Sequence, residues 1–495
     1  MDLDCFAVGE NWVRQEVEIR PAYAQAFRCI GSDCEDTCCQ GWTVPVDLRT
    51  WEKYQAIPEG PLQVLVHASV TRNPRGSDGV EPTANVFAQI RMDDANQCPI
   101  LSGDGLCRIQ SAMGAGMLSD TCATYPRIKH SIGGREEQAL ALSCPEAARL
   151  VLLSPDLLSP DLLNSGDKNW VATNAVLCST EDGDADAGKD AVGVALPADF
   201  WQIRSVVLSL VRNRVYPLWQ RLFLLDLLCR RLDAIDGDEG QGSVADFLSG
   251  FVASVSTGQL RGNLEGLPFE SSVQMDMVLR LAGMMLHKSN VRPRFVECVQ
   301  NFTAGIGNGP GATLESLTRR YAQANERIFA PFLSRAPHIL ENFLINSILR
   351  CEFPYGKENL RDGGKPEMAR EFAQLAAQFV LMRGLLIGVA GFHGAGFSAP
   401  HVVHTVQAAS KHFEHHPEFL SMAHALLKES GMDGARGLAV LLRDPEFRDA
   451  GLDRASGGAK PATPAKSAPG LRDEIWASSP REVEVPIPTA GAKAH

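Results

Sequence analysis

Eight of the thirteen cysteines fall between Cys29 and Cys144, in short clusters. Cys29, Cys34, Cys38 and Cys39 stand in FRCIGSDCEDTCCQGW, and Cys98 and Cys107 bracket CPILSGDGLC. Cys122 follows in TCATYPR and Cys144 in LSCPEAARL. Four thiols within eleven positions, two of them adjacent, are more than core filling requires. Thiolates bind soft metals and iron–sulfur clusters, so all eight are candidate ligands. Gly31, Asp33, Gly103, Asp104 and Gly105 suit tight turns that bring backbone amides to sulfur. Structural zinc sites repeat a C-x2-4-C pair; Cys34 and Cys38 fit that loosely, and Cys98 and Cys107 do not. Iron–sulfur ligands need only converge in space. One cluster with four spare thiols, a cluster with a zinc ion, and two separate sites all satisfy the count.

The compartment decides between metal and disulfide. The N-terminal segment MDLDCFAVGENWVRQEVEIR carries two acidic residues in its first four positions and no apolar core, unlike a secretory signal. A cytoplasmic, reducing setting is expected, where structural disulfides are uncommon. The apolar stretch FVLMRGLLIGVAGF from Phe379 is broken by Arg383 and is short for a bilayer, so no membrane association is expected. A net charge of −12 argues against nonspecific nucleic-acid binding, which needs excess Lys and Arg.

With these motifs in view, the chain resembles the flagellin lysine-N-methylase family. The order and spacing of all eight cysteines carry the resemblance, with the flanking Gly41-Trp42, Tyr125-Pro126-Arg127 and Pro145-Glu146 and the later segment ENFLINSILRCEFPYG from Glu341. The front part also resembles cysteine-cluster proteins described as zinc- or iron-chelating. The resemblance runs from about Pro21 to about Phe419 and is most specific in the cysteine region. It implies a bacterial enzyme that transfers methyl groups from S-adenosylmethionine to flagellin lysines. It also implies an iron–sulfur cofactor of the 4Fe-4S type, with zinc as the alternative.

The elements that must position these residues divide into four stretches. Residues 1–150 are rich in Gly, Asp and Pro, with little helical periodicity, and read as an irregular cysteine-rich domain held by its metal or cluster. Residues 151–196 read as a connector, with a tandem LLSPDLLSPD and an acidic loop from Ser179. Residues 197–450 show helical spacing of apolar residues and read as an all-α domain. Helices are expected over 244–256, 271–287, 313–333, 337–351, 367–388, 400–413 and 418–431, and Pro217 marks a break. Residues 451–495 turn to Ala, Pro, Gly and Ser and read as a disordered tail. The fold class is therefore mainly α.

Beyond cysteine, His338, Asn342, Asn346 and Arg350 recur at four-residue steps on one helix face. They read either as a solvated stripe or as the polar wall of a binding cleft, with Asn342 and Asn346 suited to S-adenosylmethionine or a substrate amine. Tyr125 and Arg127 follow Cys122 closely and suit a substrate or ligand-supporting role; for Arg127 the plain alternative is a structural salt bridge to Glu146 or Asp120. His412, His415 and His416 fit a helix end better than a metal site. The glycines from Gly388 to Phe397 lack nucleotide-loop spacing and read as a helix end and loop. The C-x3-C-x2-C motif of radical S-adenosylmethionine enzymes is incomplete, and no Rossmann-type strand and glycine loop is visible. The expected site is a cleft between cysteine and helical domains. The alternative is a non-catalytic zinc- or iron-binding protein or a metal-stabilised helical scaffold.

Overall fold

Met368–His393 forms a helix of 26 residues with apolar side chains on every side. Without a polar face it can only be a core element, and almost all of it from Phe372 to Ala390 is buried. By length and composition alone this helix could cross a membrane, but 89% of its most apolar window is buried inside the protein. Helices Leu218–Ile235, Ser271–Leu286, Pro293–Gly305, Leu314–Ala324, Ala399–Phe413, Glu418–Glu429 and Ala435–Leu442 pack around it. The computed structural model describes residues 21–75, 81–132, 135–158, 199–235, 243–258, 260–286, 292–356, 367–414 and 418–445. The tail expected over 451–495, the acidic loop, most of the connector, Cys178, His415 and His416 lie outside them.

The central helix and Pro293–Gly305 approach each other closely. Gly388 and Gly391 face Gly305, and a Cβ at Gly305 would come within 1.8 Å of the Gly388 carbonyl oxygen. These glycines exist for helix–helix contact, so Gly388 and Gly391 lie inside the helix; the chain turns only at Gly394, where φ is +54°. Gly305→Ala is expected to cost about 1–3 kcal/mol through overpacking. A thermal melt unchanged by this substitution would show that the two helices are not locked so closely.

Most expected helices are present within a few residues. Val244–Ser256, Ser271–Leu286, His338–Arg350, Ala399–Phe413 and Glu418–Glu429 match their apolar spacing, and Pro217 separates Phe200–Arg212 from Leu218–Ile235. The stretch expected over 313–333 runs through Leu314–Ala324, a π-helical turn at Asn325–Phe329 and Ala330–Arg335. Pro293–Gly305 and Ala435–Leu442 are additions to the sequence reading.

The described part of the N-terminal third is less irregular than its composition suggests. β1 (Val44–Val46), β2 (Val70–Arg72) and β3 (Ala88–Ile90) form an antiparallel sheet in the order β1-β3-β2. Val44, Val46, Tyr54, Ile57, Val66, Val70 and Ile90 bury themselves in a small core of their own. Strands of three residues are too short to show alternation in a sequence, and only pairing reveals them. β4 (Arg127–Ile132) and β5 (Arg135–Leu140) form a hairpin. Tyr23, Phe27, Leu140, Leu142, Ala147 and Val151 belong to the large helical core, not the small one. Burial therefore divides the described residues of this stretch between two cores.

Candidate metal centre

The eight cysteines of the sequence motifs are all free thiols. Several receive backbone amides at sulfur. The Gly31 N–H lies 3.5 Å from Cys29 Sγ. The Asp36 amide bonds Cys34, those of Ile100 and Leu101 bond Cys98, and those of Glu146 and Ala147 bond Cys144. Such contacts favour sulfur as the anion. Cys107 and Cys144 also sit at the N-caps of Arg108–Met113 and Pro145–Leu152, where the helix end carries partial positive charge.

Burial works the other way. It pushes the thiols of Cys98 and Cys122 up to about 11, and Cys107 beside both adds to the rise. Burial likewise lifts Cys144 to about 12, with Cys34 and Cys38 contributing. Cys38 is raised further, first by its contact with Cys39, whose sulfur is 4.0 Å away. Without a metal these thiols are neutral at pH 7, and a thiophilic ion would displace their protons. Among the described residues no group of three or more His, Cys, Asp or Glu side chains is arranged as a ready-made metal site. The fit to a thiol-bound metal is therefore one of donor chemistry: sulfur ligands, amides aimed at sulfur, and neighbouring cations.

Those cations come from the helical core. Lys411, buried on helix Ala399–Phe413, donates to Asp36 Oδ2 at 2.7 Å and to the Thr37 carbonyl at 2.6 Å. Gln407, one turn earlier, donates to Asp36 Oδ2 at 2.7 Å and to the Ser143 carbonyl at 2.9 Å. Arg292 donates to the Gln40 carbonyl, and Arg294 to the Glu35 carbonyl at 3.2 Å and to Gln407 Oε1 at 3.1 Å. Gly41 is a glycine of necessity, because a Cβ there would strike Arg292 and its φ is +81°. Four side chains thus clamp the Glu35–Gly41 loop onto the core. Burial alone would raise Asp36, but Lys411 beside it brings the carboxyl below its ordinary range. This clamp was not legible in sequence, because Asp36 and Lys411 stand 375 positions apart.

Tyr125 belongs to the same junction. Its hydroxyl shares a hydrogen bond with Ser143 Oγ at 3.1 Å, and its ring lies 5.7 Å from that of Trp42. Trp42 Nε1 in turn donates to the Cys38 carbonyl at 2.7 Å. Burial raises the Tyr125 phenol well above its ordinary value, with Cys144 contributing. Arg127 points elsewhere, donating to the Phe27 carbonyl at 3.1 Å with its guanidinium over the Phe27 ring. Glu146 pairs with Arg149.

Comparison with known proteins adds a second line. Residues 204–441 match the FliB lysine N-methylase C-terminal domain. The chain is 31% identical over 158 residues to the flagellar biosynthetic protein FliU of Salmonella muenchen, covering 32% of this chain and 86% of that one. The chain belongs to the FliB-like lysine N-methylase family. It is also 31% identical over 140 residues to the lysine-N-methylases of Salmonella typhimurium and Salmonella choleraesuis, 28% of this chain and 33% of the length of each. The matched part is therefore about a third of those two relatives. No solved structure matches the chain.

Within the family's C-terminal domain stand Asn342 and Asn346, on helix His338–Arg350. Neither is part of a solvated stripe, since both are buried. Asn342 donates to the Val151 and Ser154 carbonyls at 2.8 and 2.7 Å, satisfying the end of helix Pro145–Leu152. Asn346 donates to the Leu140 carbonyl at 2.8 Å and accepts from the Leu140 N–H at 3.1 Å and the Tyr23 hydroxyl at 3.0 Å. Their polar atoms are engaged by backbone and by Tyr23. The family-like stripe of asparagines thus joins the hairpin and the helix begun by Cys144 to the helical core. His412, of the histidine run, stacks on Phe295 and bonds the Met285 carbonyl at 2.8 Å.

Proposed function

We propose that this chain transfers methyl groups from S-adenosylmethionine to lysine side chains of flagellin in the cytoplasm, with the thiol-rich segment holding an iron–sulfur cluster, or zinc in its place. The match of its helical core to the lysine N-methylase C-terminal domain carries this reading. The clamp of Lys411, Gln407, Arg292 and Arg294 supports it by seating the cysteine loop on that same core.

The reaction requires a free amine. A lysine ammonium has no lone pair, and its pKa near 10.4 means a site must shed its proton by desolvation or by a base. The amine then attacks the methyl carbon; the C–N bond forms as the C–S bond breaks, and neutral S-adenosylhomocysteine leaves. A bound metal centre would supply fixed charge and a covalent tie among the thiols. The Trp42–Tyr125 ring pair offers an aromatic surface suited to a sulfonium or ammonium group.

A non-catalytic, metal-stabilised scaffold is the second reading. It draws support from the strands: among the described residues they form an antiparallel sheet and a hairpin, not a parallel cofactor-binding sheet. The assay that separates the two uses folded, anaerobically purified protein, S-adenosylmethionine and purified flagellin. Methylated lysines found by peptide mass spectrometry are the expected result. Absence of transfer by metal-loaded protein would leave the scaffold.

A further inference from the structure

At the end of the central helix the chain turns back through Gly394–Gly396, where Gly394 has φ +54°, and enters the next helix at Ala399. Aromatic rings close this turn. Phe397 is buried, with its ring 5.1 Å from that of Phe332 and 6.1 Å from that of Phe329, both edge-on. Phe329 ends the π-helical turn Asn325–Phe329, an uncommon element often found at functional sites. The Phe397 ring also lies 6.0 Å from that of His401, nearly parallel to it. The His401 ring is 3.8 Å from that of His393, which meets the half-exposed Phe392 edge-on at 5.0 Å. Two histidines thus stand in contact between an apolar anchor and the surface.

His401 is also a helix cap. It is the third residue of helix Ala399–Phe413, and its Nδ1 accepts from the Ser398 N–H at 3.1 Å and lies 3.0 Å from Ser398 Oγ. A backbone N–H can only donate, so Nδ1 acts here as the acceptor and carries no proton. A proton on Nδ1 would set two donors face to face. The imidazolium would also stand in the first turn of a helix, whose dipole repels cations. The charged and titratable groups nearby are His404 on the same helix and Arg294 and Glu297 on Pro293–Gly305, with Glu297 Oε2 3.6 Å from His404 Nε2. Burial lowers His393 below its ordinary value of 6.5; His401 and His404 add to the fall, and Glu297 opposes it. Burial lowers His404 as well, with Arg294 and His401 adding and Glu297 opposing. The unfolded chain therefore binds these protons more readily, and stability is lost as pH falls from about 6.5 towards the lowered values.

We propose that His401 and His393 form an acid-released latch on the Gly394–Ser398 loop. Neutral rings hold the loop closed through the Ser398 cap and the ring contacts. Protonation breaks the cap, parts the two imidazoles and frees Phe397 from Phe329 and Phe332. The release is local. Gln407 and Lys411, which seat the cysteine loop, lie further along the same helix, so a frayed first turn leaves them in place. This inference rests neither on methyl transfer nor on a bound metal.

The test is backbone hydrogen exchange of the full chain, read by peptide mass spectrometry at about pH 7.5 and about pH 5.5, on either side of the histidine range. Rates are corrected for the intrinsic pH dependence of exchange. Peptides covering residues 394–402 should lose protection about tenfold or more at the lower pH, the equivalent of a one-unit shift. Peptides covering Leu218–Ile235 and Glu35–Gly41 should keep theirs. His401→Gln retains an acceptor for the Ser398 N–H but takes up no proton, so residues 394–402 should stay protected at both pH values. His401→Ala has no acceptor and should be open at both. Equal protection of residues 394–402 at the two pH values in the unaltered chain would overturn the proposal. So would a loss shared equally by Leu218–Ile235, or acid opening of His401→Gln to the same extent as the unaltered chain. The first two of these outcomes need no variant, so they decide even if a substitution prevents folding.

Discussion

Arg204→Met is expected to destabilise the chain by about 3–5 kcal/mol, because it leaves a buried carboxylate without its cation. Arg204 is fully buried, and its guanidinium donates to Glu137 Oε2 at 2.7 Å, to the Ile348 carbonyl at 3.0 Å and to the Phe353 carbonyl. One side chain therefore joins helix Phe200–Arg212, β5 and the end of helix His338–Arg350. Burial raises the Glu137 carboxyl, and Arg204 is the main influence holding it down. Adding Glu137→Gln to Arg204→Met removes the stranded charge and should recover part of the loss. The Phe353 carbonyl would still lack the Arg204 donor, whereas that of Ile348 keeps the Phe353 N–H at 3.1 Å. Urea denaturation of both variants is the measurement. A loss within about 1 kcal/mol for Arg204→Met would mean water reaches Glu137 and the pair is not sealed.

Asn346→Leu should cost about 3 kcal/mol or more, by stranding three buried partners. Those partners are the Leu140 N–H, the Leu140 carbonyl and the Tyr23 hydroxyl. Asn342→Ala should cost less, since the Val151 and Ser154 carbonyls lie at a helix end. The structure thus turns these asparagines from candidate ligand contacts into expected stability determinants. The decisive comparison is thermal stability against S-adenosylmethionine binding in the same folded variant. Weaker binding with an unchanged melting temperature would return Asn346 to the binding site.

The sequence alone displayed whatever repeats at helical spacing or clusters within a few residues. Apolar residues from Phe372 to Ala390 announce a core helix, because burial on all sides needs no knowledge of the neighbours. The clustering of eight cysteines was legible too, and the soft-metal expectation it raised rests on the chemistry of thiolates alone. Tertiary structure decided what depends on residues far apart in the chain. Strands of three residues carry no readable alternation, so the β1-β3-β2 sheet exists only through pairing of β3 with β1 and β2. A stripe of His338, Asn342, Asn346 and Arg350 looks the same in sequence whether water, ligand or backbone faces it. Here the asparagines meet Leu140, Val151 and Ser154, about two hundred positions away in the chain. The Asp36–Lys411 pair spans 375 positions. A buried cation and its carboxylate are drawn together by the cost of leaving either one alone. That cost is set by three-dimensional burial, which no local pattern records.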